Sequence, residues 1–141
     1  MIKAQNLRIG NLVWISNPLL ESTDGNIYKV TGINSKEDSS FPNSDSVISL
    51  EGLDFEKKYN QTYSQFSEFV KPVLIQDFIL DKLGFDYLGK YGYGIGKFHI
   101  VNRVGKWGFP IAGEIRFLKY VHELQNLFFA LTSNELVLSE A

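Results

Sequence analysis

Lys119-Tyr-Val-His-Glu-Leu-Gln-Asn-Leu-Phe-Phe-Ala-Leu-Thr132 is the stretch that decides how the rest of the chain is read. At 100° per residue, Val121, Leu124, Leu127, Phe128 and Leu131 fall within one arc of about 120°, the apolar stripe of a helix that covers a sheet. The strands it would cover lie just upstream. Lys97-Phe-His-Ile-Val-Asn-Arg103, Lys106-Trp-Gly-Phe109 and Glu114-Ile-Arg-Phe-Leu118 are short runs of β-branched and aromatic residues punctuated by glycine, which predicts an antiparallel meander. Downstream, Thr132-Ser-Asn-Glu135 has the spacing of a capping box and predicts one last helical turn carrying Leu136 and Leu138.

Working back toward the N-terminus, Val73-Leu-Ile-Gln-Asp-Phe-Ile-Leu-Asp-Lys-Leu-Gly84 places Leu74, Ile75, Phe78, Ile79 and Leu83 at helical spacing. Gly84 supplies the left-handed position that ends such a helix, and Phe85 can fold back onto its last turn. Pro72 closes the region before it. There, Leu7-Arg-Ile-Gly-Asn-Leu-Val-Trp-Ile15 and Ile27-Tyr-Lys-Val-Thr-Gly-Ile33 predict two antiparallel strands, with Asp24-Gly25 as a hairpin signal and Gly32 marking a bulge or bend. Ser35 to Ser46 has one large apolar residue and predicts a mobile loop, because it cannot bury enough surface to offset its ordering entropy. Val47 to Leu50 reads as a strand, Glu51 to Lys58 as a charged turn, and Tyr59 to Val70 as a loop entering a strand. The fold class is α+β: a small β unit over 1–72, then a helix, a β-meander and a C-terminal helix over 73–141, two regions that one core could serve.

A chain of 141 residues with 44% hydrophobic residues can supply that core without staples. The absence of cysteine excludes disulfides and thiolate metal sites and fits a reducing compartment. The first residues lack the apolar run of a signal peptide, and no later run approaches the roughly 20 apolar residues that span a bilayer, so a cytoplasmic protein without membrane contact is expected. The net charge of −2 gives no general attraction to nucleic acid, but it is unevenly spread. From Tyr87 to Tyr120 six cations face Glu114 alone, a local +5 that leaves −7 for the remainder.

Leu7-Arg-Ile-Gly-Asn-Leu-Val13 with Ile27-Tyr-Lys-Val-Thr-Gly-Ile33 resembles the first strands of an SH3-like small β-barrel, a fold found in many binding modules. That start, combined with Lys119 to Thr132, resembles an uncharacterised family of short proteins of prophages and conjugative elements. The resemblance covers both ends and the helix ending Leu83-Gly84-Phe85, and it implies no activity. The chain departs from the family where Ser133-Asn134 stands in place of a glycine-containing turn; because asparagine tolerates left-handed backbone, the helix end should survive.

His122-Glu-Leu-Gln-Asn126 falls one residue short of the zinc pattern H-E-x-x-H, since Asn126 is a poor substitute for the second imidazole and His99 is the only other histidine. No metal and no cofactor are expected. On the same helix His122, Gln125, Asn126 and Phe129 lie side by side, opposite much of the apolar arc, and could take a partner's backbone; the plainer alternative is that they satisfy nearby backbone groups and cover the edge of the core. Gly89-Lys-Tyr-Gly-Tyr-Gly-Ile-Gly-Lys97 fails as a phosphate loop on spacing, and its alternating glycines suit a hairpin with one bare face. No nucleophile or acid/base spacing marks a catalytic site. The leading expectation is a non-catalytic protein- or peptide-binding module of a mobile genetic element. The alternative is single-stranded nucleic-acid binding through the basic and aromatic meander 87–120, with Lys90, Lys97, Arg103, Lys106, Trp107 and Arg116 as contacts; a small enzyme comes third.

Overall fold

The computed structural model describes residues 6–16, 27–35, 46–52 and 62–137. The chain is α+β, mostly strands, and divides into two compact units, Met1–Val73 and Leu74–Ala141. The Asp24-Gly25 turn, most of the polar loop and the charged turn past Gly52 lie outside the described residues.

In the first unit the opening strand starts later than its composition predicts. Gly10 adopts φ 97°, and the buried Asn11 accepts a 2.6 Å hydrogen bond from the Arg8 N–H through Oδ1, so Leu7 to Asn11 forms a turn. Strand β1 is therefore Leu12–Ile15. Strand β2, Ile27–Ser35, runs antiparallel to it with Tyr28 opposite Val13. Its pairing with β3, Ser46–Gly52, slips between Val30 and Gly32, a bulge at the place where Gly32 signals one. Strand β4, Thr62–Phe66, replaces part of the expected loop, and a one-turn 3-10 helix at Ser67–Phe69 leads to β5, Val70–Pro72, which returns beside β1.

The resulting order is β4-β3-β2-β1-β5. Val13, Ile15, Tyr28, Val30, Ile48, Leu50 and Val70 form the core with Leu7, with β1, β2 and β3 each contributing alternate residues to it. The expectation of a closed barrel is corrected by this sheet, which stays open with β4 and β5 as its edges. The short β5 ends at Pro72, which has no N–H to extend a ladder.

In the second unit the first helix is shorter than its periodicity suggests. Leu74 forms an antiparallel bridge with Tyr120, and the Ile75 N–H donates to the Lys119 carbonyl at 3.1 Å, so the chain stays extended until α1, Asp77–Lys82. Leu74 and Phe78, assigned to the apolar stripe from sequence, are exposed. The helix end matches its reading: Gly84 takes φ 90°, its N–H donates to the Asp81 carbonyl at 3.1 Å, and the Phe85 N–H donates to the Leu80 carbonyl at 3.0 Å with the ring buried.

Strands β6 (Asp86–Tyr87), β7 (Tyr93–Ile95), β8 (Phe98–Arg103), β9 (Lys106–Ile111) and β10 (Glu114–Leu118) then form a consecutive antiparallel sheet. Phe98 is the hub of its inner face. Its ring stacks on Phe109 at 4.8 Å and meets Phe128 and Phe85 edge-on at 5.0 and 6.2 Å. The bare face of the glycine hairpin is filled from within: a Cβ at Gly92 would strike the Ile100 carbonyl, and one at Gly94 would lie 2.9 Å from the Leu88 side chain.

Helix α2, Val121–Thr132, closes this unit. Glu123 Oε1 accepts the Tyr120 and Lys119 N–H groups at 2.9 and 3.1 Å, which tethers the helix start. Val121, His122, Leu124, Gln125 and Phe128 are buried, Leu127 is half-buried and Leu131 is 51% exposed. Placed on a 100° wheel, the buried arc is turned by about 80° from the apolar arc, toward His122 and Gln125. The last helical turn is also corrected, because residues 134–137 are not helical. Ser133, rather than Asn134, takes the left-handed conformation at φ 61°, and Thr132 Oγ1 accepts the Asn134 N–H at 3.1 Å in place of the capping-box bond.

Candidate interaction surface

The second sheet has a face of mixed chemistry. Alternation along the paired strands sends Phe98, Ile100 and Trp107 inward and sends His99, Val101 and Arg103 of β8, Lys106, Gly108 and Pro110 of β9, and Ile115 and Phe117 of β10 to the other side. On that outer face Arg103 and Lys106 are exposed and stand opposite each other across the β8–β9 ladder. Phe117 is paired with Gly108 and is 56% exposed.

Glycine at 108 makes room for Ile115 beside this ring. A Cβ there would strike Ile115 Cγ2, whereas Phe117 Cδ1, at 3.6 Å, would lie in ordinary contact with it, so the bare backbone lets Ile115 lie across β9 next to Phe117. Lys106 Nζ stands 5.8 Å from the centre of the Phe117 ring, within reach of a cation–π attraction. Among the described strand residues of this face Asp86 is the one carboxylate, on β6, three strands from Lys106 and four residues away along the strand direction. The surface thus offers an exposed ring, an apolar floor and two adjacent cations with little competing negative charge.

The residues nominated from sequence are distributed unevenly. Arg103 and Lys106 share the outer face. Arg116, paired with Phe109, points to the other side of the sheet, while Lys90 lies on the 3-10 turn Gly89–Tyr91, with Nζ 5.2 Å from the Tyr91 ring, and Lys97 lies in the β7–β8 turn. Trp107 is buried, and its Nε1 donates to the Ile75 carbonyl at 3.1 Å, so the indole is occupied inside the unit. Phe117 belongs to the aromatic residues of the meander 87–120 expected to stack bases, whereas His99 was not a candidate for that surface. The signal for Phe117 was present, since it follows Arg116 in a strand two residues after Ile115, but which face it takes depends on register.

The four residues proposed on α2 separate in the same way. Gln125 is wholly buried and its Nε2 donates to the Leu136 carbonyl at 3.1 Å. His122 is 7% exposed, stacks on Tyr120 with ring centres 5.8 Å apart, and has a buried Nδ1 without a hydrogen-bond partner. Burial lowers its pKa from the ordinary imidazole value of 6.5, and the neighbouring Glu123 partly opposes that shift. Asn126 is half-buried and Phe129 is exposed, so the outward remnant of the proposed face is narrow. Among the described residues, no three His, Cys, Asp or Glu side chains gather where they could hold a metal, and no helix is long and apolar enough to cross a membrane.

No protein-family model matches the chain, and no curated protein or solved structure matches it.

Proposed function

We propose that the chain is a non-catalytic binding module that takes single-stranded nucleic acid on the outer face of its second sheet. The observation that carries this reading is the placement of exposed Phe117 over Gly108, beside Lys106 and Arg103. A base has a flat apolar face that stacks on such a ring, and its phosphate finds the adjacent cations; the combination is sequence-tolerant because every base offers a π-face. The test is fluorescence anisotropy of a labelled single-stranded oligonucleotide across a salt series. Binding should weaken with salt with a logarithmic slope of about −1.4 for two phosphate contacts, and Phe117→Ala should weaken it about fivefold or more. No binding at low salt would end the proposal.

A second reading attaches to the first unit. The order β4-β3-β2-β1-β5, the bulge before Gly32 and the 3-10 turn between β4 and β5 support an SH3-like unit that would dock a peptide. The resemblance of residues 7–13 and 119–132 to short prophage and conjugative-element proteins is the ground for a kinship with them. Affinity capture with nuclease-treated and untreated extract separates the two: a partner retained after nuclease favours the peptide reading.

A further inference from the structure

We infer that Val104, at the tip of the β8–β9 hairpin, is a contact residue of the same surface, its isopropyl group set against a base of a bound single strand; the inference rests on the nucleic-acid reading above. Val104 is fully exposed and adopts φ 54°, followed by Gly105 at φ 79°. Positive φ at both central residues is the type I′ arrangement, which favours Asn-Gly and disfavours a β-branched residue. The turn is held by another group, since Asn102 Oδ1 accepts the Gly105 N–H at 3.0 Å. Folding therefore gains nothing visible from the valine side chain and bears an exposed apolar group on a disfavoured backbone. The neighbouring turn, Ala112-Gly113, has the same φ signs with only a methyl group.

Its surroundings say what would cover it. Arg103 precedes it and Lys106 follows two residues on, both exposed, with no carboxylate in the turn. Gly108, under Phe117, lies two residues along β9 from Lys106, about 7 Å at strand rise and on the same face, and Val104 sits in the turn that joins Arg103 to Lys106. A polyanion crossing this strip meets apolar contacts at both ends and cations between them. Proteins that bind the minor groove of a duplex set apolar side chains against base steps while their cationic residues hold the strand, and the same pairing of chemistries is available here to an unstacked base.

The test compares wild type, Val104→Asn, Val104→Leu and Lys106→Ala with labelled oligothymidine, alongside thermal melting. Val104→Asn gives the turn its favoured residue, so its melting temperature should hold or rise while its affinity falls about fivefold through the loss of an isopropyl group partly buried in the complex. Val104→Leu should retain binding. Lys106→Ala should flatten the salt slope by about 0.7, whereas Val104→Asn should leave the slope unchanged. Wild-type binding with an unaltered affinity for Val104→Asn overturns the role of Val104 alone. Absence of wild-type binding overturns the reading of the whole face, and binding instead to phosphatidylserine vesicles assigns the strip to a lipid surface and overturns both.

Discussion

Gln125→Ala should destabilise the protein more than Leu131→Ala, the reverse of what helix periodicity predicts. Gln125 is wholly buried and its amide donates to the Leu136 carbonyl, which belongs to a residue itself buried. Truncation removes that donor and leaves the carbonyl short of a partner, worth about 1–3 kcal/mol, and it removes at least one buried methylene, worth about 0.8 kcal/mol. The expected loss is about 2–4 kcal/mol. Leu131 is half exposed, so alanine forfeits only part of the roughly 1.5–3 kcal/mol of a buried leucine, and the better helix propensity of alanine offsets some of it. Its loss should stay below about 1 kcal/mol. Leu124→Ala, where the periodicity and the fold agree, serves as the control at about 2–5 kcal/mol. Urea unfolding followed by tryptophan fluorescence measures all three, with Trp14→Phe in the background so that Trp107 alone reports the second unit. A loss for Leu131→Ala equal to or above that for Gln125→Ala would refute the rotated setting of α2.

Three further outcomes follow from particular contacts. His122 takes up a proton in the unfolded chain near pH 6.5 but only at lower pH when folded, so the unfolded state holds more protons between those values. Stability should be complete above about pH 6.5 and fall on acidification through that range, by at most about 1.4 kcal/mol per pH unit, and urea midpoints from pH 7.5 to 5 should show this slope reduced in His122→Phe. Phe98→Ala should cost about 3–5 kcal/mol, and Phe98→Leu less, because leucine retains apolar volume while losing the three ring contacts; a Phe98→Leu loss near zero in calorimetry would deny those contacts any share. Gly92→Ala should lower the melting temperature more than Gly96→Ala, since both have positive φ but only the first meets backbone, at the Ile100 carbonyl.

Local chemistry was legible wherever a residue answers to its own backbone. Gly84 ends α1 as its place after Leu83 demands, the bulge falls at Gly32, and the alternating strands of the meander pair in sequence order, because turns and periodicity are properties of a few adjacent residues. Val73 to Gln76 was misread as helix for a nonlocal reason. Its apolar spacing suits a helix, yet the bonds of Leu74 and Ile75 to Tyr120 and Lys119 come from a segment more than forty residues away.

The candidate surface divides along the same line. The sequence by itself determined the α+β class and the basic and aromatic character of 87–120, since composition and short-range pattern suffice for these. Only the tertiary structure decided that Trp107 is inside while Phe117 is outside, because a one-residue change of strand register exchanges the two faces. It alone also decided that α2 turns His122 and Gln125 inward. A buried amide with the Leu136 carbonyl to satisfy is as well accommodated as a leucine, and no pattern of hydrophobic residues along one helix can reveal that partner.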